Sequence, residues 1–311
     1  MKRFLKKIIL LGIVFCISAV FFTSIFIAVV LHRDNHLTSF IQKQKMLVDK
    51  HRQGKPSIIL IGGSNVAFGF NSRMIREASG LPVINTGLNA GFGLKFMLDH
   101  TSRYLTEGDI LVIAPEYDNF FNGEAYGNVN LTFLLYIYPR IIFDLGAIQL
   151  KNVLVSFPGT KEYFLSAVLN ILFRKENKAY SVSDFNEYGD YAKHWTMPSR
   201  PHPKAHLSDF KTIDTKFLDY YENAVAALRN RGIEVIIIPP SLSDISYNII
   251  EERLTALLPE LEKRNLNFSI PPQESAYPDS LFFDTLYHLG YEGILIRTNQ
   301  LIELIRQLDC D

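Results

Sequence analysis

The sequence predicts an α/β fold in which a mostly parallel sheet is covered by helices on both faces. Four short apolar runs, each closed by glycine, asparagine or proline, are typical of buried strands. They lie in "PSIILIGGS" (56–64), "LPVINTGLNAG" (81–91), "DILVIAPEYDNF" (109–120) and "IEVIIIPPS" (233–241). Because helical segments separate these runs, parallel pairing through helical crossovers is favoured.

The intervening helices are predicted from the spacing of apolar residues and from signals at the helix ends. In "NSRMIREASG" (71–80), Asn71 or Ser72 is the expected N-cap and Gly80 the expected stop. "FGLKFMLDHTSRYLTEG" (92–108) has the spacing of a second helix. Three further helices are predicted at 215–232, 247–265 and 291–308. Strands and helices therefore alternate along most of the chain.

Residues 1–31 predict a cytoplasmic tip followed by a transmembrane helix. Residues 8–31 carry no charge, and a helix of this length reaches about 36 Å, enough to cross a hydrocarbon core of about 30 Å. Four basic residues precede it and should remain in the cytoplasm: Lys2, Arg3, Lys6 and Lys7. A cleaved signal peptide is the alternative, but its apolar region is usually only about 7–15 residues long. We expect an uncleaved single-pass anchor, with the remaining chain in the periplasm or at the cell surface.

Composition and charge narrow the function classes. The chain has 311 residues, with 32 basic and 32 acidic side chains, so neither a nucleic-acid partner nor a disordered acidic tail is indicated. Cys16 lies in the predicted membrane span, which leaves Cys310 without an intramolecular disulfide partner. Residues 32–55 are polar with sparse apolar positions and predict a helical stalk or linker. One domain is expected over 56–311.

An insert at about 120–212 interrupts the alternation of strands and helices. It contains two aromatic and apolar stretches, "LTFLLYIYPRIIFDLGAIQL" (131–150) and "EYFLSAVLNILF" (162–173). A helical cap packed on the sheet is the favoured interpretation, and a surface that touches the membrane or a membrane partner is the alternative. The three histidines of "HWTMPSRPHPKAH" (194–206) are separated by prolines that prevent helical alignment, so no metal site is predicted.

The segment "IGGSN" (61–65) places a small hydroxyl at the end of a predicted strand. Glycine permits a tight turn and close approach of a substrate to Ser64. Near the other end of the chain, "DTLYHL" (284–289) holds Asp284 and His288, and a carboxylate beside an imidazole can orient a general base. Taken alone, His288 is also compatible with a structural loop histidine, and "GGSN" with a strand-ending turn. A phosphate-binding loop is disfavoured because neither GxGxxG nor GKS/GKT is present.

Together these residues resemble the SGNH (GDSL-like) hydrolase superfamily. The resemblance implies a three-layer sandwich with a helical insert, Ser64 as nucleophile, and His288 and Asp284 as its catalytic partners. It further implies that Gly87, in "NTGLNAG", supports the oxyanion. The third oxyanion donor would be Asn119 in "APEYDNF", where Asp118 and Glu116 are the alternatives.

The match departs from the family pattern in three places. The first block reads Gly-Ser-Asn rather than Gly-Asp-Ser, and the third block lacks Gly-x-Asn-Asp. The last block has three residues between Asp284 and His288 instead of two, with Asp279 as the second choice for the acid.

The membrane-anchored architecture resembles proteins that transfer acyl groups in envelope-polymer modification. We therefore expect an extracytoplasmic serine O-acyltransferase or esterase that acts on acyl groups, acetyl first among them, of an envelope polysaccharide. The expected partners are an acylated glycan or acyl donor and a multispanning membrane acyl-transfer protein, and no cofactor is expected. The alternative is a non-catalytic assembly factor of an envelope polysaccharide pathway. A nucleotide-binding domain is a third and weaker interpretation, because no phosphate motif is present.

Overall fold

The structure, a computed structural model, describes residues 2–31, 36–161, 169, 181–206 and 209–308. The helices are α1 (Lys2–Leu31), α2 (Ser39–Gln53), α3 (Ser64–Ala67), α4 (Ser72–Ser79), α5 (Leu94–Thr101), α6 (Val129–Ile137), α7 (Ala147–Ser156), α8 (Thr215–Arg229), α9 (Asp244–Glu262) and α10 (Tyr291–Leu308). The strands are β1 (Ile58–Gly62), β2 (Val83–Asn85), β3 (Ile110–Ala114), β4 (Glu234–Ile237), β5 (Leu242–Ser243) and β6 (Ala276–Tyr277). Cys310 and all of the apolar stretch 162–173 except Leu169 lie outside the described residues.

Four parallel strands form the central sheet in the order β2-β1-β3-β4. Leu60 of β1 pairs with Asn85 of β2 and with Val112 of β3, and Val112 pairs in turn with Ile236 of β4. The predicted parallel sheet is thus confirmed. Because the strands share one direction, the loops that follow β1, β2 and β3 meet at one edge of the sheet.

Helices cover both faces of this sheet, as predicted. Ile59 and Ile61 point into the larger core cluster with apolar side chains of α2, α5 and α8. Ile58 and Leu60 point the other way, against α4 and α10. This alternation follows from the two-residue period of a strand, and burial on both faces explains why β1 is apolar at successive positions.

The ends of α4 confirm the signals read from the sequence. Asn71 is the N-cap, and its side chain accepts a hydrogen bond of 3.3 Å from the backbone N–H of Met74. Gly80 ends the helix with a φ of 72°, the left-handed conformation that glycine adopts without steric cost.

The N-terminal helix α1 is long and apolar enough to cross a membrane. Its segment from Arg3 to Phe22 satisfies the length and composition of a span, and none of it is buried by the rest of the chain. A helix whose apolar side chains all face outward is stable only in an apolar surrounding. The helix predicted over 8–31 is therefore present, with the length and composition of a membrane span. α1 also lies against α6.

The segment after α1 is helical, as predicted, but α2 packs on the domain and does not form a free stalk. Leu47 is buried in the larger core cluster. The Lys43 ammonium donates 2.8 Å to the carbonyl oxygen of Asn85 at the end of β2, and Lys50 pairs with the buried Asp109 just before β3. The sparse apolar positions suggested a linker. One apolar stripe and two buried lysines are nevertheless sufficient to hold this helix against the domain.

The insert combines helices with a long irregular segment. Leu131 and Leu134 of α6 are fully buried in the larger core cluster, and α7 packs on α6. Residues 181–206 contain short 3-10 turns and an isolated antiparallel bridge between Phe185 and Tyr191, and they return to the edge of the sheet, where the Asn85 N–H donates to the Tyr188 carbonyl oxygen. There Asp190 accepts hydrogen bonds from the Ser72 hydroxyl (2.6 Å) and from the Asn85 side-chain amide (2.8 Å). The insert is consequently tied to the loops that follow the strands.

Candidate active site

Ser64 begins α3 directly after β1, at the carboxyl edge of the sheet. Gly63 precedes it with an extended backbone, and a Cβ atom at this position would overlap Glu116 Oε1 and the Ala90 side chain. The glycine is therefore required by close packing rather than by an unusual backbone angle. Ser64 is partly exposed, so a substrate can reach its hydroxyl.

Glu116 is the nearest ionisable partner of Ser64. Its Oε1 atom accepts a hydrogen bond of 3.3 Å from the Ser64 hydroxyl and one of 3.2 Å from the backbone N–H of Asn65. Burial, reinforced by the neighbouring Asp118 carboxylate, raises the pKa of Glu116 to about 7. Near neutral pH this carboxyl group therefore exists in both protonation states.

His288 and Asp284 form the second half of the site. The two side chains join through His288 Nδ1 and Asp284 Oδ1 at 2.8 Å, so the longer spacing between them does not separate them. Asp279, the second choice for the acid, pairs instead with Lys204. Burial lowers the pKa of His288, although Asp284 acts in the opposite direction. The lowered pKa keeps the imidazole neutral and able to accept a proton near pH 7.

An aromatic stack places the His288 ring beside the turn that begins with Ser64. The ring lies on Phe68 with centroids 3.8 Å apart and planes 5° from parallel. Phe68 closes α3, and its backbone N–H donates 2.9 Å to the Ser64 carbonyl oxygen. Tyr191, from the insert, stacks on Phe68 at 4.4 Å. One helical turn thus connects the hydroxyl, the imidazole and the insert.

Gly87 follows β2 and packs directly on α3. A Cβ atom at Gly87 would lie 2.5 Å from Val66 Cβ and 2.7 Å from the Ala67 nitrogen, so only glycine fits there. The Gly87 N–H donates 2.9 Å to Asn85 Oδ1. This amide already has an acceptor, and it can reach an oxyanion only by exchanging that bond.

Asn119 lies in the 3-10 turn after β3, with 2% of its surface exposed. Its Oδ1 atom finds no hydrogen-bond donor within the described part of the chain. Asn119 also lines a cavity of about 350 Å³ that includes Glu116. An unsatisfied buried amide at a cavity wall is a group that a ligand can pair.

The walls of this cavity are polar and rich in hydrogen-bond acceptors: Glu116, Asp118, Asn119, Asn122, Glu124, Asn128 and Asp209. Asp118 accepts a hydrogen bond of 2.7 Å from the Tyr287 hydroxyl, and burial raises the pKa of Asp118 and of Glu124. Within the described residues no group of three or more acidic, histidine or cysteine side chains is placed to hold a metal ion. The lining suits a ligand with several donors, such as the hydroxyl groups of a sugar.

Arg297 is a site residue that the sequence reasoning missed. Its guanidinium is buried, donates 2.8 Å to the Asn65 carbonyl oxygen and lies 4.5 Å from the centre of the Phe70 ring. Burial lowers the pKa of Arg297 to about 10, so it remains charged at neutral pH. One feature of the sequence could have revealed it: a charged residue lies on the apolar stripe of the last helix, between Ile294 and Leu301.

The site therefore holds a serine at a helix start, a neutral imidazole oriented by a carboxylate, and a second carboxyl group at the serine. A hydroxyl at the start of a helical turn and an imidazole stacked on the end of the same turn are groups suited to nucleophilic chemistry. The function has to be argued from this geometry, because comparison with protein-family models, with curated proteins and with solved structures found no match.

Proposed function

We propose that the protein is a membrane-anchored serine O-acyltransferase or esterase with an SGNH-like fold, acting on acyl groups of an envelope polysaccharide. The observation that carries the proposal is the Asp284–His288 pair, stacked on the helical turn that begins with Ser64. Three features support the family assignment: the order of strands, the serine after β1 and the acid–histidine pair before the last helix. None of them depends on the motif residues that depart from the family pattern.

In the proposed reaction, the Ser64 oxygen attacks the carbonyl carbon of an acyl ester. His288 takes the serine proton at Nε2, while Asp284 stabilises the imidazolium through Nδ1. Collapse of the tetrahedral intermediate breaks the ester bond, and His288 gives its proton to the departing alcohol. The acyl-serine is then attacked by an acceptor hydroxyl, or by water, whose proton returns through His288.

The cavity beside Glu116 supports a sugar as the acceptor. Carboxylate and amide oxygens accept hydrogen bonds from several hydroxyl groups at once, which orients one of them toward the acyl-serine. The aromatic stack of Phe68, Tyr191 and His288 excludes water from one side of the site. Transfer benefits from that exclusion because water competes with the acceptor, so we favour transfer over hydrolysis and acetyl as the group moved.

The placement of the domain outside the cytoplasm belongs to the same proposal. Basic residues before the apolar part of α1 favour a cytoplasmic N-terminus, and a multispanning membrane partner would then deliver the acyl group. A reporter that is active only outside the cytoplasm, fused after Asp311, should be active. Activity of a cytoplasm-specific reporter at the same position would reject the orientation and the envelope substrate together.

A non-catalytic assembly factor is the second candidate, and Glu116 is the observation that favours it. A carboxylate within hydrogen-bond distance of Ser64 opposes the negative charge that develops during acyl transfer. An assembly factor would keep the cavity and the insert as binding surfaces, without turnover at Ser64.

Covalent labelling with a fluorophosphonate separates the two candidates. The full chain, in detergent or in nanodiscs, is treated with the probe and the labelled peptide is identified by mass spectrometry. We expect labelling at Ser64 and loss of labelling in Ser64→Ala. Labelling should be unchanged in Ser102→Ala, which removes a hydroxyl at the end of α5 that donates to the Asp99 carbonyl oxygen. Absence of labelling at Ser64 would favour the assembly factor.

A further inference from the structure

Glu116 holds the position where an oxyanion needs donors. The Ser64 hydroxyl and the Asn65 N–H at the start of α3 both donate to Glu116 Oε1. In acyl transfer, backbone N–H groups at this kind of helix start normally face the developing oxyanion. The other expected backbone donor, Gly87 N–H, already bonds to Asn85. Two of the backbone donors at this site are therefore already engaged, and one of them bonds to an additional carboxyl group.

We propose that Glu116 acts in its neutral acid form and donates a hydrogen bond to the oxyanion formed at the acyl carbon. This inference rests on the proposed function. Glu116 keeps its proton throughout: its O–H points to the carbonyl oxygen as negative charge builds, while the Ser64 proton passes to His288. The other Glu116 oxygen continues to accept the Asn65 N–H. When ionised, the same group repels the oxyanion and the reaction stops.

The groups that face Glu116 explain why the acid form is populated. Removal from water disfavours the ionisation of Glu116, and the carboxylate of Asp118, two residues further along the chain, adds to this effect. Arg297 from α10 acts in the opposite direction, and the Tyr287 hydroxyl faces the same pair of carboxyl groups while bonded to Asp118. The balance raises the pKa of Glu116 to about 7 even though the Asn65 and Ser64 hydrogen bonds lower it.

The two shifts together define a pH window. His288 must be neutral, and its lowered pKa allows this at pH values below its ordinary 6.5. Glu116 must be protonated, which fails as the pH rises through about 7. The rate of Ser64 acylation should therefore fall on the alkaline side of neutrality, about tenfold per pH unit. A serine site that depends on histidine alone keeps its rate there.

The test measures the rate of fluorophosphonate labelling of the full chain from acidic to alkaline pH. In Glu116→Gln the amide oxygen still accepts the Asn65 N–H and the NH₂ donates at every pH, so the alkaline fall should disappear. Glu116→Ala removes the donor and should slow labelling about 10²–10³-fold at the optimum. Glu107→Gln, an exposed glutamate far from Ser64, should behave as the wild type.

Three results would count against this role of Glu116. A Glu116→Gln profile that still falls at the wild-type midpoint, or a wild-type rate that stays constant above pH 7, overturns this inference and leaves the proposed function intact. Absence of Ser64 labelling at every pH overturns both.

A different observation concerns the insert. Between residues 142 and 157 large apolar side chains face outward: Ile142, Phe143, Ile148, Leu154, Val155 and Phe157. The exposed fraction is 82% for Phe143 and 74% for Leu154. We refer to these six residues as the apolar surface. Exposed apolar groups at this density mark a contact with another apolar phase.

From its position and charge, we infer that the apolar surface lies in the interface of the membrane that α1 crosses. Its residues belong to α7 and two flanking 3-10 turns, which pack on α6, and α6 is the helix that α1 contacts. The exposed cations Arg140, Lys151 and Lys161 accompany it. Asp144, the one acid between 139 and 161, is buried against Arg103. This pattern suits anionic lipid headgroups with acyl chains beneath them.

Lipid quenching tests this placement directly. Single cysteines replace Phe143, Leu154 and, as a matched control, the exposed Asn223 of α8, each in a Cys16→Ala, Cys310→Ser background. The full chain is labelled with an environment-sensitive dye and reconstituted into phosphatidylcholine–phosphatidylglycerol vesicles that contain spin-labelled lipid. We expect strong quenching at 143 and 154 and little at 223. Quenching at 143 and 154 that does not exceed quenching at 223 would overturn this placement. A blue-shifted dye at 143 that lipid does not quench would show that protein covers the surface instead.

Discussion

The ring of His288 lies face to face on Phe68, with centroids 3.8 Å apart. Phe68 fills space at the end of α3 and also sets the plane of the imidazole, which Asp284 holds at Nδ1. Two contacts, the ring stack on Phe68 and the hydrogen bond to Asp284, fix the orientation of this ring. In the proposed reaction, the base would thereby be positioned before substrate arrives.

Phe68→Leu should reduce acylation of Ser64 without unfolding the protein. Leucine keeps most of the apolar volume, so we expect a loss of about 1 kcal/mol in stability. It removes the flat surface beneath His288 and admits water to the ring. The pKa of His288 should then rise toward its ordinary value, because burial is what lowers it.

The acid limb of the pH–rate profile reports this change. It should move to higher pH in Phe68→Leu, since more of the imidazole is protonated at a given acidic pH. A profile that keeps its acid limb while the rate falls uniformly would assign Phe68 to packing alone.

The serine, histidine and aspartate should behave as a unit. Ser64→Ala and His288→Ala should each abolish acyl transfer, and the double variant should be little worse than either single variant. Asp284→Asn should cost a similar or smaller factor, because the amide leaves His288 in place but no longer stabilises its charged form. Rates from burst-phase acylation give the comparison, with thermal unfolding as the control for folding. Strictly multiplicative losses would indicate that the residues act separately.

Gly63→Ala should inactivate the site through Glu116. The added Cβ would occupy the space of Glu116 Oε1 and of the Ala90 side chain, so the carboxyl group must leave Ser64 and Asn65. Gly159→Ala, whose Cβ has its nearest neighbour 4.0 Å away at Val129, is the matched control. We expect a loss of labelling and of about 1–3 kcal/mol in stability for the first variant only. Wild-type labelling in Gly63→Ala would show that Glu116 is not needed where the structure places it.

The main strands and helices, and the edge of the sheet at which the site residues lie, could be predicted from the sequence. Apolar runs closed by glycine located β1, and the capping signals located both ends of α4, because local chemistry decides these features. The carboxyl-edge position of Ser64, Gly87 and Asn119 followed from parallel pairing alone. The contact between Asp284 and His288 was also predicted, since only three residues lie between them.

The rest depended on contacts between distant residues. Nothing local in "APEYDNF" shows that Glu116 rather than Asn119 reaches Ser64, because the direction of each side chain depends on how the turn packs on α3. Tyr191 and Phe68 are more than 120 residues apart in the chain. Their stack has no counterpart in sequence spacing. Lys43 and Lys50 lie in the segment predicted as a helical stalk or linker, and only the folded chain shows that both are buried.

The packing of α2 predicts where the soluble domain begins. A chain that starts at His36 retains α2, whereas one that starts at Pro56 loses Leu47 from the core and both buried lysines. Loss of Lys50 leaves the Asp109 carboxylate buried without its cation, which costs about 3–5 kcal/mol in comparable cases. Burial of Lys43, with its ammonium on the Asn85 carbonyl, is lost with it.

We expect residues 36–311 to fold, to unfold cooperatively with denaturant and to label at Ser64, while residues 56–311 aggregate or unfold at much lower denaturant. Lys45→Ala, on the exposed side of α2, serves as the control and should leave the stability of the longer chain unchanged. Equal stability of the two truncated chains would show that α2 is a removable stalk after all.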